Sequence, residues 1–159
     1  MTDAREGWIL LLDDDPLVTD SLGALLKEES TWNVAVFNRP LEALASLERQ
    51  AYQVVMSDFL MPELDGVSFL KQVRELQPRT SRILITGYAD KQNAIRSINE
   101  AGLYHFIEKP WDNTSLLLIL RNAMERSTMI EELSERMEQL AKQDQSLEDL
   151  RSRLLKAIL

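Results

Sequence analysis

No cysteine occurs among the 159 residues of this chain, and histidine occurs once. The absence of cysteine excludes a disulfide framework, a thiol nucleophile and a zinc–thiolate site. A single histidine, His105, excludes metal motifs built on paired histidines and any relay between two histidines. The five glycines are too scattered to form the usual phosphate-cradling loops. The chemistry of this protein must therefore rest on carboxylates, hydroxyls and lysine.

The chain also lacks an excess of basic residues and a long apolar run. Its net charge of −8 argues against broad, sequence-independent binding to nucleic acid. No apolar stretch approaches the roughly 18 residues that span a bilayer, and the polar segment Met1–Gly7 does not have the pattern of a secretory signal. These features predict a soluble, cytoplasmic protein in which this segment binds neither membrane nor nucleic acid.

What the chain does contain is a regular alternation of short β-type runs and helical segments. The predicted strands are Trp8–Leu12, Trp32–Phe37, Val54–Met56, Ile83–Ile85 and Leu103–Ile107. Apolar residues at the helical period follow them, including Leu17 and Leu22 in the first predicted helix and Leu41 and Leu47 in the second. The alternation predicts an α/β fold with a doubly wound parallel sheet, in which ligands bind at the carboxyl ends of the strands.

Polar residues of a particular kind follow four of the five predicted strands, whereas the second strand contributes nothing comparable. They are Asp13, Asp14 and Asp15 after the first strand, Asp58 after the third, Thr86 after the fourth and Lys109 after the fifth. Carboxylates at short range repel one another unless a cation intervenes, and an oxygen-rich crevice suits Mg²⁺. Lysine and threonine can contact phosphoryl oxygens. The set therefore predicts phosphoryl transfer to an aspartate, although each acid alone could equally cap a helix or lie in a solvated loop.

Several segments resemble the receiver domain of bacterial two-component response regulators. The matching segments are Leu11–Pro16, Asp58–Gly66, Ile85–Gly87, Ala101–Gly102 and Phe106–Pro110. The resemblance covers roughly residues 8–124, and the Asp…Met-Pro…Gly and Lys-Pro elements are highly specific in combination. It implies a flavodoxin-like sheet with the strand order 2-1-3-4-5. It also implies a regulatory domain that catalyses only its own phosphorylation and dephosphorylation.

The resemblance further implies which residues receive and hold the phosphoryl group. Asp58 would be the phosphoacceptor, and the donor would be a phosphohistidine on a sensor histidine kinase or a phosphotransfer protein. Mg²⁺ would be held by Asp13, Asp14, Asp58 and the backbone carbonyl of Leu60. Asp15 has a less fixed role in the family, and we expect it to cap a helix.

The remaining matches concern the response to phosphorylation. The resemblance implies that Thr86 and Lys109 contact the phosphoryl oxygens and that Phe106 is an aromatic switch that rotates inward when Thr86 moves. The bond between Lys109 and Pro110 is expected to be cis, as is common in the family. His105 lies beside Phe106 in the fifth strand, and we expect a packing or surface role for it.

The resemblance also implies that two positions near the phosphoacceptor tune the lifetime of the phosphate. They are Leu60, two residues after Asp58, and Tyr88, two residues after Thr86. Neither leucine nor tyrosine is suited to orient a water for in-line attack, as an amide or a carboxylate could. We therefore expect a relatively long-lived aspartyl phosphate.

A helical pattern continues beyond the receiver-like region. A long helix is predicted to start near Asp112, with no later proline or glycine. Its apolar residues at alternating spacings of three and four are Ile130, Leu133, Met137, Leu140, Leu147 and Leu154. The polar residues between them are typical of a two-stranded coiled coil, which Asp144 and Arg151 at core-type positions would weaken.

We expect residues 1–124 to form the receiver domain and residues 125–159 a coiled-coil linker that makes a homodimer. The apolar, uncapped tail suggests that the chain was cut before an output domain. The alternative for the linker is a single amphipathic helix that folds back on its own domain.

Two other functions compete with that of a phosphoacceptor switch. An aspartate-nucleophile phosphatase of similar fold would use Asp13 and Asp15 as nucleophile and acid, but it leaves Asp58 and Lys109 unexplained. A structural dimerisation module that is no longer phosphorylated would have been free to lose some of the acids, Thr86 or Lys109, and all of them are present.

Overall fold

The computed structural model describes residues 7–87 and 90–158, within which five strands alternate with five helices. The strands are β1 (Trp8–Leu12), β2 (Asn33–Phe37), β3 (Val54–Asp58), β4 (Ser81–Thr86) and β5 (His105–Glu108). The helices are α1 (Pro16–Glu29), α2 (Pro40–Leu47), α3 (Gly66–Leu76), α4 (Lys91–Ala101) and α5 (Asn113–Ile158). All paired strands are parallel, and their order is β2-β1-β3-β4-β5. The predicted doubly wound, flavodoxin-like fold is confirmed.

The sheet separates two apolar clusters because successive side chains of a strand point to opposite faces. Ile9 and Leu11 of β1 belong to one cluster, together with residues of α1 and the first part of α5. Leu10 and Leu12 belong to the other, together with residues of α2, α3 and α4. Four of the five residues of β1 are buried, as are all residues of β3 and β4. Burial on both faces explains why these strands are continuous apolar runs rather than alternating ones.

Two leucines that the helical period assigned to buried faces are exposed. Leu17 of α1 is 78% exposed and Leu41 of α2 is 60% exposed. At 3.6 residues per turn, Leu17 lies about 140° around the helix from Leu22, and Leu41 lies about 120° from Leu47. Both leucines directly follow the proline that opens their helix. Their prediction as core residues was wrong because the spacing of five or six residues does not keep two side chains on one face.

Strand boundaries differ from the predicted ones where the sequence is polar. β4 begins two residues earlier than predicted, because Ser81 and Arg82 pair with β3 and are buried. The Arg82 guanidinium donates to the backbone carbonyls of Thr80 and Ala101 at 3.1 and 3.0 Å. Burial and the charges of Arg74 and Arg126 together lower its pKa. β5 begins at His105 instead of Leu103.

The chain divides into two compact units, residues 1–127 and 128–159. The first unit contains the sheet, and its last residue, Ser127, is buried. Ser127 Oγ donates to the backbone carbonyl of Gln53 at 2.6 Å and accepts from the backbone N–H of Ser81 at 3.1 Å. These bonds join α5 to the amino-terminal end of the central strands within this unit.

The second unit is entirely helical over its described residues. Its large exposed apolar side chains are Met129, Leu133, Met137, Leu140, Leu147, Leu150, Leu154, Leu155 and Ile158. Over the described parts of the chain, no helix combines the length and the apolar character that crossing a membrane requires.

Candidate functional site

The carboxyl ends of β1 and β3 bring three carboxylates together. Asp13 directly follows β1, and Asp58 is the last residue of the neighbouring strand β3. One carboxylate oxygen from each of Asp13, Asp14 and Asp58 lies within 4.8 Å of the other two. Asp13 is only 2% exposed and Asp58 only 8%, whereas Asp14 faces solvent. The site is therefore an acidic crevice that is open on one side.

Lys109 bridges two of these acids from the end of β5. Its Nζ donates to Asp13 Oδ2 and to Asp58 Oδ1, both at 3.0 Å. The backbone N–H of Lys109 donates to the carbonyl of Thr86 at 2.8 Å, which extends the pairing of β5 with β4 by one step. The peptide bond that follows, Lys109–Pro110, is cis. One ammonium group is thus shared between two buried carboxylates and offsets only part of their charge.

The electrostatics of the crevice favour an additional positive charge. Burial raises the pKa of Asp58, and Lys109 offsets this only in part. Partial burial and the charge of Asp13 raise the pKa of Asp14. Burial alone would lower the pKa of Lys109, but its hydrogen bonds to Asp58 and Asp13 outweigh that effect and raise it. The carboxylates are therefore under-compensated by the protein alone.

The three carboxylates fit a small, hard divalent cation. Mg²⁺ prefers oxygen ligands at about 2.1 Å in an octahedron, so two ligands on opposite sides of the ion lie about 4.2 Å apart. Oxygens already within 4.8 Å of one another need only small adjustments to reach this spacing. The set contains neither nitrogen nor sulfur ligands, which softer metals prefer. The donor set therefore matches the expected Mg²⁺.

Three of the four remaining predicted residues, Thr86, Phe106 and Leu60, lie within the part of the chain that the structure describes. Thr86 is the last residue of β4 and is buried, and its Oγ1 donates to the carbonyl of Gly87 at 3.2 Å. Phe106 of β5 is half-buried and packs against the apolar cluster that contains Leu10. The side chain of Leu60 is exposed. Tyr88, the second predicted lifetime position, lies outside the described residues.

Asp15 and His105 are outside the carboxylate cluster. Asp15 is the N-cap of α1, and its Oδ1 accepts from the backbone N–H of Leu17 at 3.0 Å. Its expected capping role is confirmed. His105 is exposed on β5, and its Nδ1 lies 2.6 Å from the backbone carbonyl oxygen of Phe106. A packing or surface role was expected for this histidine.

Gly66 sets the position of Asp58 through a close backbone approach. Its N–H donates to the carbonyl of Phe59 at 2.8 Å, and a Cβ atom at Gly66 would lie 2.0 Å from the carbonyl oxygen of Asp58. Asp65 caps the helix that starts there, because its Oδ1 accepts from the N–H of Ser68 at 2.8 Å. The first turn of α3 is therefore pressed against the strand end that carries the candidate phosphoacceptor.

Asn38 is a residue of the site that sequence reasoning missed. It directly follows β2, and its Nδ2 donates to the backbone carbonyl of Asp13 at 2.9 Å. The second strand was expected to contribute nothing comparable to the residues that carry a charge or a reactive group. A polar amide directly after a strand, at the same edge of the sheet as the acids, was the available signal.

Comparison with known families and proteins assigns the chain to a family. A sequence profile of the response regulator receiver domain matches residues 9–121. The chain belongs to this family. The receiver resembles the hydrogenase transcriptional regulatory protein HoxA of Cupriavidus necator, with 40% identity over 121 residues, 76% of this chain and 25% of HoxA. It is also 30% identical to the transcriptional regulatory protein FixJ of Bradyrhizobium diazoefficiens over 77% of this chain and 58% of FixJ.

Solved structures show the same relationship. The signal receiver domain of an HD domain-containing protein from Pseudomonas fluorescens Pf-5 superposes with a TM-score of 0.73 and 32% identity. The match covers 79% of this chain and 99% of that one. By contrast, the chain spans about a quarter of the length of the HoxA proteins. The region that matches the family, residues 9–121, thus contains the carboxylates of the crevice and all of the sheet except Trp8.

The raised pKa of Asp14 predicts that its charge opposes folding when no metal is bound. A carboxyl group whose pKa is higher in the folded state than in the unfolded state destabilises the fold above that raised pKa. We therefore expect Asp14→Asn to increase the thermal stability of the metal-free receiver at neutral pH. The gain should shrink as the pH falls and Asp14 of the wild type becomes protonated.

Thermal unfolding with and without Mg²⁺ tests this prediction. At the same high Mg²⁺ concentration the wild type should gain more stability than Asp14→Asn, because stabilisation by a ligand that binds only the folded state rises with the logarithm of the ratio of ligand concentration to dissociation constant. Asp20→Asn, which changes an exposed acid on α1, is the control for the loss of one negative charge. A metal-free Asp14→Asn protein that is less stable than wild type would contradict the electrostatic account.

Proposed function

We propose that this receiver is a phosphoacceptor switch in which Asp58 takes a phosphoryl group from the phosphohistidine of a sensor kinase or phosphotransfer protein, with Mg²⁺ as cofactor. The observation that carries the proposal is the contact of Lys109 Nζ with both Asp13 and Asp58 at 3.0 Å. The proposed nucleophile, a proposed metal ligand and a cation thereby meet at the carboxyl ends of three strands of the sheet. The proposed setting is the cytoplasm, where a kinase partner would be accessible.

Each residue would have a defined part in the transfer. An oxygen of the Asp58 carboxylate forms the new P–O bond while the P–N bond of the phosphohistidine breaks and its electron pair returns to the imidazole. Bound at Asp13, Asp14, Asp58 and the Leu60 carbonyl, Mg²⁺ would neutralise charge on the phosphoryl oxygens. Lys109 is already within reach of Asp58, so it can follow the phosphoryl oxygens with little movement.

Thr86 and Phe106 would report the modification. The Thr86 hydroxyl donates to Gly87 in this structure, and turning toward a phosphoryl oxygen would exchange that bond for a charge-assisted one, which is roughly twice as strong. Phe106 is only half-buried, so an inward rotation would bury more of its ring. We propose that this exchange alters the surface that a partner or an output domain recognises.

We further propose that residues 125–159 form a homodimeric coiled-coil linker. Leu133, Met137, Leu140, Leu147 and Leu154 are each more than half exposed in the single chain. A second copy would cover this stripe, which recurs at the spacing of a coiled-coil seam. HoxA and FixJ are named transcriptional regulatory proteins, and we propose that the linker passes the signal to an output of that kind.

The phosphatase alternative is less well supported by the same geometry. It requires Asp15 as an acid beside Asp13, but Asp15 caps α1 and does not belong to the carboxylate cluster. The two functions separate in one experiment with acetyl phosphate and Mg²⁺, followed by intact-mass measurement. A switch acquires one phosphoryl group and requires Mg²⁺, whereas a phosphatase releases phosphate from general phosphomonoesters without a stable adduct.

Removal of the Lys109 charge should slow phosphorylation. Lys109→Met leaves Asp13 and Asp58 without their ammonium partner, and one lost transition-state donor typically costs about 10²-fold in rate. The measurement is the initial rate of phosphoryl incorporation from acetyl phosphate at saturating Mg²⁺. Lys71→Met is the matched control, because Lys71 forms an exposed ion pair with Glu100 on another surface. An unchanged rate for Lys109→Met would remove Lys109 from the proposed mechanism.

A further inference from the structure

The end of β2 forms hydrogen bonds to the loop that carries Asp13 and Asp14, two of the three acids proposed to bind Mg²⁺. The end of β2 itself places no charged group in the crevice. Asn38 Nδ2 donates to the backbone carbonyl of Asp13 and to Thr19 Oγ1, both at 2.9 Å. A side-chain amide nitrogen has two hydrogens, so both are used on these two acceptors. Thr19 Oγ1 in turn donates to the carbonyl of Pro16 at 3.2 Å. A chain of hydrogen bonds from Asn38 therefore closes the loop from Asp13 to Pro16.

The backbone of Asp13 is fixed from the same side by a second bond. Its N–H donates to the carbonyl of Phe37, the last residue of β2, at 3.2 Å. Both polar backbone groups of Asp13 are thus bonded to the end of β2. Only its carboxylate is left for the crevice, where Oδ1 accepts from the N–H of Asp15 at 2.9 Å and Oδ2 accepts from Lys109.

The hydrogen bond from Asn38 also affects the orientation of Asp14, the second residue after β1. The carbonyl of Asp13 and the N–H of Asp14 belong to one planar peptide unit. Holding the carbonyl oxygen therefore fixes the plane from which the Asp14 side chain projects. The charges of Asp13 and Asp14 repel each other, and a loop without this restraint would allow the two carboxylates to separate.

We propose that Asn38 is a positioning residue that keeps Asp13 and Asp14 spaced for one Mg²⁺ ion before the ion arrives. The inference rests on the proposed function, because it assigns Asn38 a part in the same metal site. A neutral amide suits this position, since it donates to the loop without competing with the metal. A lysine or arginine there would pair with the carboxylates instead.

The test is the Mg²⁺ dissociation constant of the full chain, measured by calorimetry. Asn38→Ala removes both hydrogen bonds, and we expect the dissociation constant to rise about threefold to tenfold, as neutral hydrogen bonds of ordinary net strength allow. Asn33→Ala is the matched control. Asn33 lies at the other end of β2, and its Nδ2 donates to the backbone carbonyl of Gly7 at 3.3 Å. This variant should bind Mg²⁺ like the wild type.

Two further readouts separate positioning from a merely structural role. The Asp15 N–H donates to Asp13 Oδ1. In metal-free protein, hydrogen exchange at this N–H should be faster in Asn38→Ala than in Asn33→Ala. In phosphorylation by acetyl phosphate, the half-saturating Mg²⁺ concentration should rise, whereas the rate at saturating Mg²⁺ should change much less. Asn38→Leu, which is similar in size but has no donor, repeats the test if the alanine variant is too unstable.

Each result of these experiments either supports or overturns the proposed role of Asn38. An Asn38 variant that binds Mg²⁺ like the wild type, with only a lower melting temperature, would overturn the inference and leave Asn38 as a structural residue of the β2–α2 turn. A wild-type chain that binds no Mg²⁺ would overturn the proposed function, and this inference with it. A wild type that is phosphorylated in Mg²⁺ and an Asn38 variant with reduced affinity would support both.

Discussion

Asp58→Asn is expected to abolish phosphoryl incorporation from both acetyl phosphate and a phosphorylated histidine donor. The amide cannot act as the nucleophile, so no aspartyl phosphate can form at the end of β3. The fold should survive, because burial raises the pKa of Asp58 and an uncharged side chain is easier to accommodate there. Intact-mass measurement after incubation in Mg²⁺ gives the occupancy directly, and circular dichroism verifies the fold.

A carboxylate on the following loop offers a matched control. Asp65 is close to Asp58 in sequence and caps α3, and asparagine caps helices about as well as aspartate. Asp65→Asn should therefore be phosphorylated like the wild type. If Asp58→Asn still acquires a phosphoryl group at the wild-type rate, another residue is the acceptor and the assignment of the site is wrong.

Leu140→Glu is expected to dissociate the proposed homodimer. Leu140 is 59% exposed in the single chain and lies within the apolar stripe of the second unit. A buried leucine contributes about 1.5–3 kcal/mol, and a two-fold dimer loses two of them. At about 1.4 kcal/mol per factor of ten, the dissociation constant should rise by about 10²–10⁴. Sedimentation equilibrium of the full chain measures this change.

The control for this substitution adds the same charge beside the stripe. Gln139 is exposed and lies at a position that the spacing places away from the coiled-coil seam. Gln139→Glu should leave the dimer intact. A wild-type chain that is monomeric at all concentrations, or a Leu140→Glu protein that dimerises as tightly as the wild type, would contradict the proposed linker.

The fold could be predicted from the sequence because the segments that form strands and those that form helices differ clearly in composition and periodicity. The apolar runs of β1, β3 and β4 have the composition of strands buried on both faces, and the parallel order follows from their alternation with helices. The faces of α1 and α2 were less predictable. Leu17 and Leu41 are exposed because each lies in the first turn, far around the helix from the buried leucines. Hydrophobicity alone did not distinguish these positions.

The charged groups of the site were predictable from the sequence, but the residues that hold them in place were not. Asp13, Asp14, Asp58 and Lys109 carry charge and follow strands, and the structure places them together. Asn38 acts through an amide and a backbone carbonyl, which no pattern of charge can indicate. Gly66 belongs to the motif that carries the resemblance, but the reason for a glycine there, its close approach to the Asp58 carbonyl, arises only in the folded backbone. Contacts made by backbone atoms therefore account for most of what the sequence left undetermined.

The most direct measurement of the central proposal is the position of the phosphoryl group on the chain. The wild type is incubated with acetyl phosphate and Mg²⁺, the acyl phosphate is reduced with borohydride, and the modified residue is identified by peptide mass spectrometry. The account predicts a single modified residue, Asp58, and no modification when Mg²⁺ is chelated. Modification at Asp13 or Asp14 in place of Asp58, or none at all in Mg²⁺, would contradict it.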